Sequence, residues 1–268
     1  MHIPDGYLSP QTYVPFYAAS AVLWAYGTRR MKESLSAKEV PYIAMAAAFS
    51  FLIQMFNIPV PGGTSGHAVG SGIIALLMGP WTALMACSVA LIIQALVFGD
   101  GGVTALGANC FNMAFVMPFA TYYSFRLMTK WMKSSKGFIA AAFASAYIGL
   151  TLAALCTAVE FGIQPILAHG PDGTPLYAPY PLSIAVPGML LGHLVLFSPV
   201  EGIVTALLLR YFLKNRRDFV YALRDSGKWK VKDKGNGVKC RVKSEGQKQQ
   251  CKVMSDDERP RAGKKVKG

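Results

Sequence analysis

Charge is scarce in this sequence: only 15% of its 268 residues are Asp, Glu, Lys or Arg, against 53% hydrophobic. An ordinary water-soluble surface needs about a quarter charged, so a soluble globular domain is excluded first. Paired cysteines are lacking as well. Cys87, Cys110, Cys156, Cys240 and Cys251 form no CxxC, and three of them sit within apolar runs, which argues against a disulfide framework or a thiolate zinc site. No GxxxxGK[ST] occurs, so no phosphate-binding loop of that kind is present to hydrolyse ATP. The absence of HExxH removes the zinc-hydrolase form of membrane metalloenzyme, and the absence of lysine from 182–209 removes a retinal attachment in the last apolar run. A basic leader is missing too. The opening MHIPDGYLSP carries Pro and Asp and no Lys or Arg, so no cleaved signal peptide is expected, and the bulky His2 is expected to keep Met1 in place.

The net charge of +13 is a property of one end: residues 214–268 hold 18 of the 27 Lys and Arg against 7 acids. This tail, rich in Lys, Gly, Ser and Gln, reads as a basic, unstructured cytoplasmic segment beside anionic lipid, and not as a nucleic-acid-binding element. The remainder is built from apolar runs. Crossing a hydrocarbon core of about 30 Å takes roughly 18 or more apolar residues in a helix, and the breakers divide the chain into spans at about 12–28, 40–57, 66–79, 81–98, 106–128, 138–166 and 182–213. The expected architecture is an all-α integral membrane protein, a seven-helix transmembrane bundle over 1–213. The third run is too short to cross alone and opens on the glycine-rich PGGTSGHAVGSG.

Basic residues orient the bundle, because cytoplasmic loops accumulate Lys and Arg. Outside the tail these are Arg29, Arg30, Lys32, Lys38, Arg126, Lys130, Lys133, Lys136 and Arg210, and seven spans with the N-terminus outside put all of them on the cytoplasmic side. The outer segments carry Asp5, Asp100 and Asp172 and no basic residue, a weakly acidic face suited to an incoming cation. The same topology brings Met1, His2 and His67 to one end of the bundle.

A free amine followed by His is a preorganised chelator. The Met1 amine and the His2 amide nitrogen close one ring on a metal, and the His2 amide and its Nδ1 close a second, with all three nitrogens nearly in one plane. An imidazole from His67 completes a square of nitrogens, which favours Ni(II), Cu(II) or low-spin Co(II) over tetrahedral Zn(II). Loading such a site displaces protons and weakens in acid. Pro4, Asp5 and Gly6 form a turn that folds the terminus back, and Gly62, Gly63 and Gly66 allow close backbone approach near His67. Gln94, Asp100, Asn109 and Asn112 lie around an outer segment where they can hydrogen-bond the ligand rings and fix their tautomers. Glu160, Glu201 and His193 fall within the last two spans, where interior hydrogen bonding is the expected role. Ala44 and Ala48 form a small-xxx-small pair on the second span, a surface for docking another helix.

MHIPDGYLSP, PGGTSGHAVG at 61–70 and QALVFGDGGVTALGANCFNM at 94–113 together resemble the NikM/CbiM family, the substrate-specific (S) components of nickel and cobalt energy-coupling factor (ECF) transporters. The resemblance covers 1–213 and excludes the tail. It implies a seven-helix membrane fold and a metal held by Met1, His2 and His67. It also implies a transmembrane coupling (T) subunit, cytoplasmic ATPase subunits and a small accessory membrane subunit as partners, in the plasma membrane of a prokaryote. Nickel is the expected substrate, with a cobalt-specific component supplying cobalamin synthesis as the alternative; no catalytic cofactor is expected.

Overall fold

The computed structural model describes residues 1–34, 40–60, 64–132, 134–227, 239–240 and 251–252. One compact unit runs from Met1 to Ala222 and a second from Leu223 to Gly268. Helices dominate the first: α1 (Pro10–Ser34), α2 (Val40–Gln54), α3 (Ser71–Met78), α4 (Pro80–Phe98), α5 (106–129), α6 (Ser135–Gly162, continued by a short turn at Gln164–Leu167) and α7 (Leu182–Asn215). Of these, α4, α6 with its extension, and α7 are long and apolar enough to cross a membrane by length and composition. Helical residues continue past 213 to Asn215 and recur at Arg217–Phe219 and Tyr221–Asp225. In the second unit Lys239–Cys240 pairs antiparallel with Cys251–Lys252; the rest of the basic tail beyond 227 lies outside the described residues, as do Lys38, Lys133, Gly62 and Gly63.

The third run departs from expectation. No helix opens at 66; Ile58–Val60 (β1) and Thr64–Gly66 (β2) pair as a short antiparallel hairpin, and α3 starts only at Ser71. Gly70 has φ +74, a left-handed conformation that a helix cannot run through, so the segment 67–70 enters the bundle as extended chain. An entirely α-helical chain is therefore corrected to a helical one with a hairpin, and eight residues of α3 leave room for loop backbone inside protein, where its polar groups can be satisfied.

Small residues set the packing. The inward side of α6 carries Ala142, Ser145, Ala146, Gly149, Ala153, Ala154, Thr157 and Ala158, all buried, which lets α5 and α7 approach along its length. Bulky apolar groups point the other way: Val22, Leu52, Phe56, Val97, Leu191 and Val195 are exposed, as a lipid-facing surface requires. Ala44 and Ala48 lie on the exposed side of α2.

Three helices carry a widened turn of π type at Gln94–Phe98, Cys110–Val116 and His193–Phe197. Such turns commonly mark functional sites, since each shifts the register of the side chains that follow. On α7, past the third of them, the buried Glu201 reaches the extended segment: its Oε2 accepts from Val69 N (2.8 Å) and Gly70 N (3.1 Å). We expect Glu201→Ala to lower the thermal stability of the detergent-solubilised protein, at about 1–3 kcal/mol for each amide left unpaired, and Glu201→Gln to recover part of the loss through its remaining acceptor oxygen. Equal melting temperatures for Glu201→Ala and the parent would show that these amides find other partners.

Candidate metal centre

Residues 1–9 thread into the bundle at both ends of an exposed turn at Asp5 and Gly6: Met1, His2, Ile3, Leu8 and Ser9 are buried with the core of α4–α7. Their polar groups are met one by one. Asn109 on α5 clamps Ile3 from both sides, accepting from its N–H (2.9 Å) and donating to its carbonyl (3.2 Å). Gly102 N donates to the same carbonyl at 2.7 Å. Asp5 accepts from Val103 N (3.1 Å), Thr104 N (2.8 Å) and the Thr104 hydroxyl (2.5 Å), and these bonds outweigh the upward push of partial burial to hold its carboxyl below the usual carboxylate range. A side chain at Gly102 would overlap the Asp5 amide and stand 2.7 Å from the Pro4 carbonyl carbon, so the two segments meet this closely only through glycine. Gln164, just past α6, accepts from Ser9 N at 2.9 Å and donates to the Glu160 carbonyl at 2.7 Å.

This clamp delivers His2 to His67. Their rings stack with centroids 4.6 Å apart and an interplanar angle of 29°, both residues being buried. Facing rings do not aim their nitrogens at one point, so joint coordination of an ion requires one of them to turn about its Cβ–Cγ bond.

Hydrogen bonds fix the tautomers. Ser50 Oγ donates to the Val69 carbonyl (2.9 Å) and accepts from Gln54 Nε2 (2.8 Å), which turns Gln54 Oε1 toward His2 Nε2 (3.2 Å). A carbonyl oxygen only accepts, so Nε2 of His2 carries a proton and Nδ1 keeps its lone pair in the neutral ring. His67 shows the reverse assignment: its Nδ1 donates to the Ala68 carbonyl at 3.0 Å, leaving the lone pair on a buried Nε2 that has no protein partner. The ring nitrogens not used in these bonds are Nδ1 of His2 and Nε2 of His67.

Burial pushes the Met1 amine from its ordinary value near 8 down to about 4, against the opposing charge of Asp100, so it is neutral at physiological pH and presents a third lone pair. Asp100 Oδ1 stands 3.0 Å from Nδ1 of His2. Burial raises the Asp100 carboxyl, but the contact with His2 prevails and holds it below the usual range. A carboxylate facing an imidazole lone pair is unfavourable; the contact is favourable when a proton or another cation occupies Nδ1. Among the described residues no three His, Cys, Asp or Glu side chains gather as a metal cage.

Residues 2–219 match the sequence family described as the cobalt uptake substrate-specific transmembrane region, CbiM. The chain belongs to the CbiM family. It is 50% identical over 222 residues to the fused nickel transport protein NikMN of Rhodobacter capsulatus, and 45% identical over 213 residues to the probable fused nickel transport protein LarMN of Lactiplantibacillus plantarum. These alignments cover 82% and 79% of this chain and 64% of each relative, so the chain spans about two thirds of the length of either. A solved structure described as a truncated transition metal transporter is 46% identical, superposes with a TM-score of 0.77, and is covered over 99% of its length by 80% of this chain.

Within this CbiM chain the other polar residues divide by location. Gln94 is buried with both side-chain polar atoms unpartnered in the protein. The Asn109 amide is bonded to the Ile3 backbone on both sides, and its Nδ2 lies beside Gly101 together with the His2 side chain. Asn112 Nδ2 donates to Glu160 Oε2 (2.8 Å) and Thr157 Oγ1 (3.0 Å), an interior bond between α5 and α6. His193 Nδ1 donates to the Met189 carbonyl at 2.9 Å. His169 lies in an exposed loop. Gln54 and Ser50 are the contributors that the sequence reading missed. Their only signal is polarity within VPYIAMAAAFSFLIQ, where a Ser and a Gln one turn apart interrupt an apolar helix.

Asp100→Asn keeps the shape of its side chain and removes the charge beside Nδ1. Changes to groups that orient a ligand typically cost about 10–100-fold in metal affinity, and we expect a loss of that size for nickel titrated calorimetrically into the variant. An unchanged affinity would assign Asp100 to loop structure alone.

Proposed function

We propose that the chain is the substrate-binding membrane subunit of an ECF-type, ATP-driven transporter, and that it captures Ni²⁺ for uptake in a square-planar site of four nitrogens. The donors are the Met1 amine, the His2 amide nitrogen, His2 Nδ1 and His67 Nε2. One observation carries this assignment: His2 and His67 stack in the buried interior with their Nε2 and Nδ1 respectively bonded to Gln54 and the Ala68 carbonyl, which leaves the other ring nitrogens, the two that such a chelate uses, for the ion. Co²⁺ accepts the same donors, and the family description names cobalt while the relatives in Rhodobacter and Lactiplantibacillus are named for nickel.

The proposed topology has seven spans over 1–213, the N-terminus outside and the basic 214–268 tail in the cytoplasm of a prokaryotic cell, in line with the distribution of Lys and Arg. Capture occurs at the outer end. Asp100 offers the arriving cation a negative charge, and the His2 amide gives up its proton as the metal takes its place. ATP hydrolysis falls to partner subunits, with a T subunit docking on small residues such as Ala44 and Ala48 of α2 and a small accessory membrane subunit completing the assembly.

The test is the metal content, by mass spectrometry, of protein purified with its native N-terminus after exposure to Ni²⁺ and removal of free ion. About one nickel per chain is expected, and its absorption should be that of four-coordinate, low-spin Ni(II). A native chain that retains no nickel or cobalt sinks the proposal.

A further inference from the structure

One buried imidazole has no part in the four-nitrogen site. His193, on the widened turn of α7, is fully buried; its Nδ1–H is committed to the Met189 carbonyl at 2.9 Å, which places the lone pair on Nε2, and Nε2 has no partner in the protein. A buried acceptor left without a donor is costly, by about 1–3 kcal/mol, so such an atom calls for an occupant that supplies positive charge or a proton. The turn that carries His193 ends in Phe197, whose ring lies against Gly66, the neighbour of His67.

The rest of α7 fixes that position. Phe197 packs its ring at 5.1 Å from that of His193 and also lies where a side chain at Gly66 would be, and Glu201 holds the Val69 and Gly70 amides. Residues 193, 197 and 201 therefore form one stripe of α7 that is pinned through Phe197 and Glu201 to segment 66–70, and the stripe ends one turn on in an imidazole with an open lone pair.

Taking the four-nitrogen site as given, we infer that His193 is the entering ligand that removes the metal from it. Square-planar Ni(II) exchanges ligands by attack of a fifth donor above the plane, and a chain that must release its cargo needs such a donor close by. In the exchange a bond forms between the metal and His193 Nε2, using the imidazole lone pair, and the bond to His67 Nε2 breaks with its electron pair returning to His67. No proton moves, because the Nδ1–H groups stay on the carbonyls of Met189 and Ala68. The oxidation state of the metal is unchanged. The ion is then held by an element of α7 and no longer by the segment that carries His67, so it remains in the protein while 66–70 moves.

The experiment uses the full chain with its native terminus, loaded with Ni²⁺ alone. His193→Gln keeps an amide able to donate to the Met189 carbonyl but offers no imidazole nitrogen; His193→Ala removes both. Nickel content and the absorption spectrum establish that the square-planar site is intact in each variant. Release is then followed by stopped-flow absorption into excess chelator. Both variants are expected to hold one nickel with the parent spectrum and to release it about tenfold or more slowly, equivalent to about 1.4 kcal/mol or more on the barrier. Release at the parent rate from loaded variants overturns the transfer role and leaves the four-nitrogen site standing. Loss of nickel from His193→Gln, with its helical circular dichroism unchanged, also overturns it, by making His193 a resident ligand. Failure of the parent itself to load overturns the site and the transfer together.

Discussion

Protein carrying even one residue ahead of Met1 is expected to bind nickel at least about 100-fold more weakly than protein with the native terminus, since removing a direct ligand exceeds the 10–100-fold typical of groups one step removed. Two effects act in the same direction. The extension turns the Met1 amine into an amide, whose nitrogen lone pair is delocalised and binds metal only after losing its own proton. It also has to be housed, and Met1 is 0% exposed, enclosed by the same core that holds Ile3 and Leu8. The measurement compares nickel content and calorimetric affinity before and after proteolytic removal of a cleavable leader. Recovery on cleavage separates a blocked ligand from damaged protein. A leader-bearing chain that binds as tightly as the cleaved one would mean that the terminal amine is not a ligand, and the buried carboxylates of α6 and α7 would be the next candidates.

His67→Ala should be comparably severe by a different route. The three nitrogens of Met1 and His2 are contiguous in the chain and survive the substitution, so the variant is expected to keep a weak three-donor site completed by water or buffer. Affinity should fall by about 100-fold or more, as for loss of any direct ligand. The absorption of the residual complex should move to lower energy, because water is a weaker-field donor than imidazole. The fold should tolerate the change: the segment stays pinned through Val69 and Gly70 to Glu201, and through the Val69 carbonyl to Ser50, with no bond routed through the His67 ring except the one to Ala68. An unaltered spectrum in a loaded His67→Ala chain would place the fourth donor elsewhere.

Much of the scaffold could be read from the order of residues because helices in an apolar medium must satisfy their own backbone, and long apolar runs announce them. The stacking of His2 on His67 is a meeting that the expected topology allowed for, since it brings those two segments to one end. What could not be read was how the terminus is held. The clamp of Asn109 on Ile3, and the chain from Val69 through Ser50 and Gln54 to His2, join residues between 19 and 106 positions apart, save for the one-turn link of Ser50 to Gln54, and nothing local specifies the distant partners. Asn112 illustrates the limit. It lies three residues from Asn109, but the widened turn that begins at Cys110 changes the direction in which it points, and it bonds to α6 instead of the terminus. The hairpin at 58–66 was hidden too, since short strands flanked by Pro and Gly leave little periodicity, and the apolar residues beyond Gly70 resemble a helix that starts earlier.

The buried path of residues 1–9 has a consequence for biogenesis. This stretch is made before every helix of the bundle, yet its partners are Gly102, Asn109, Gln164 and Ala178, so its last anchors exist only after α6 and the loop beyond it have been made. The first residues synthesised are thus among the last to settle, and a nascent chain halted before α6 is complete has the chelating sequence but no place to lodge it. With the proposed four-nitrogen site, metal loading becomes a report of completed assembly.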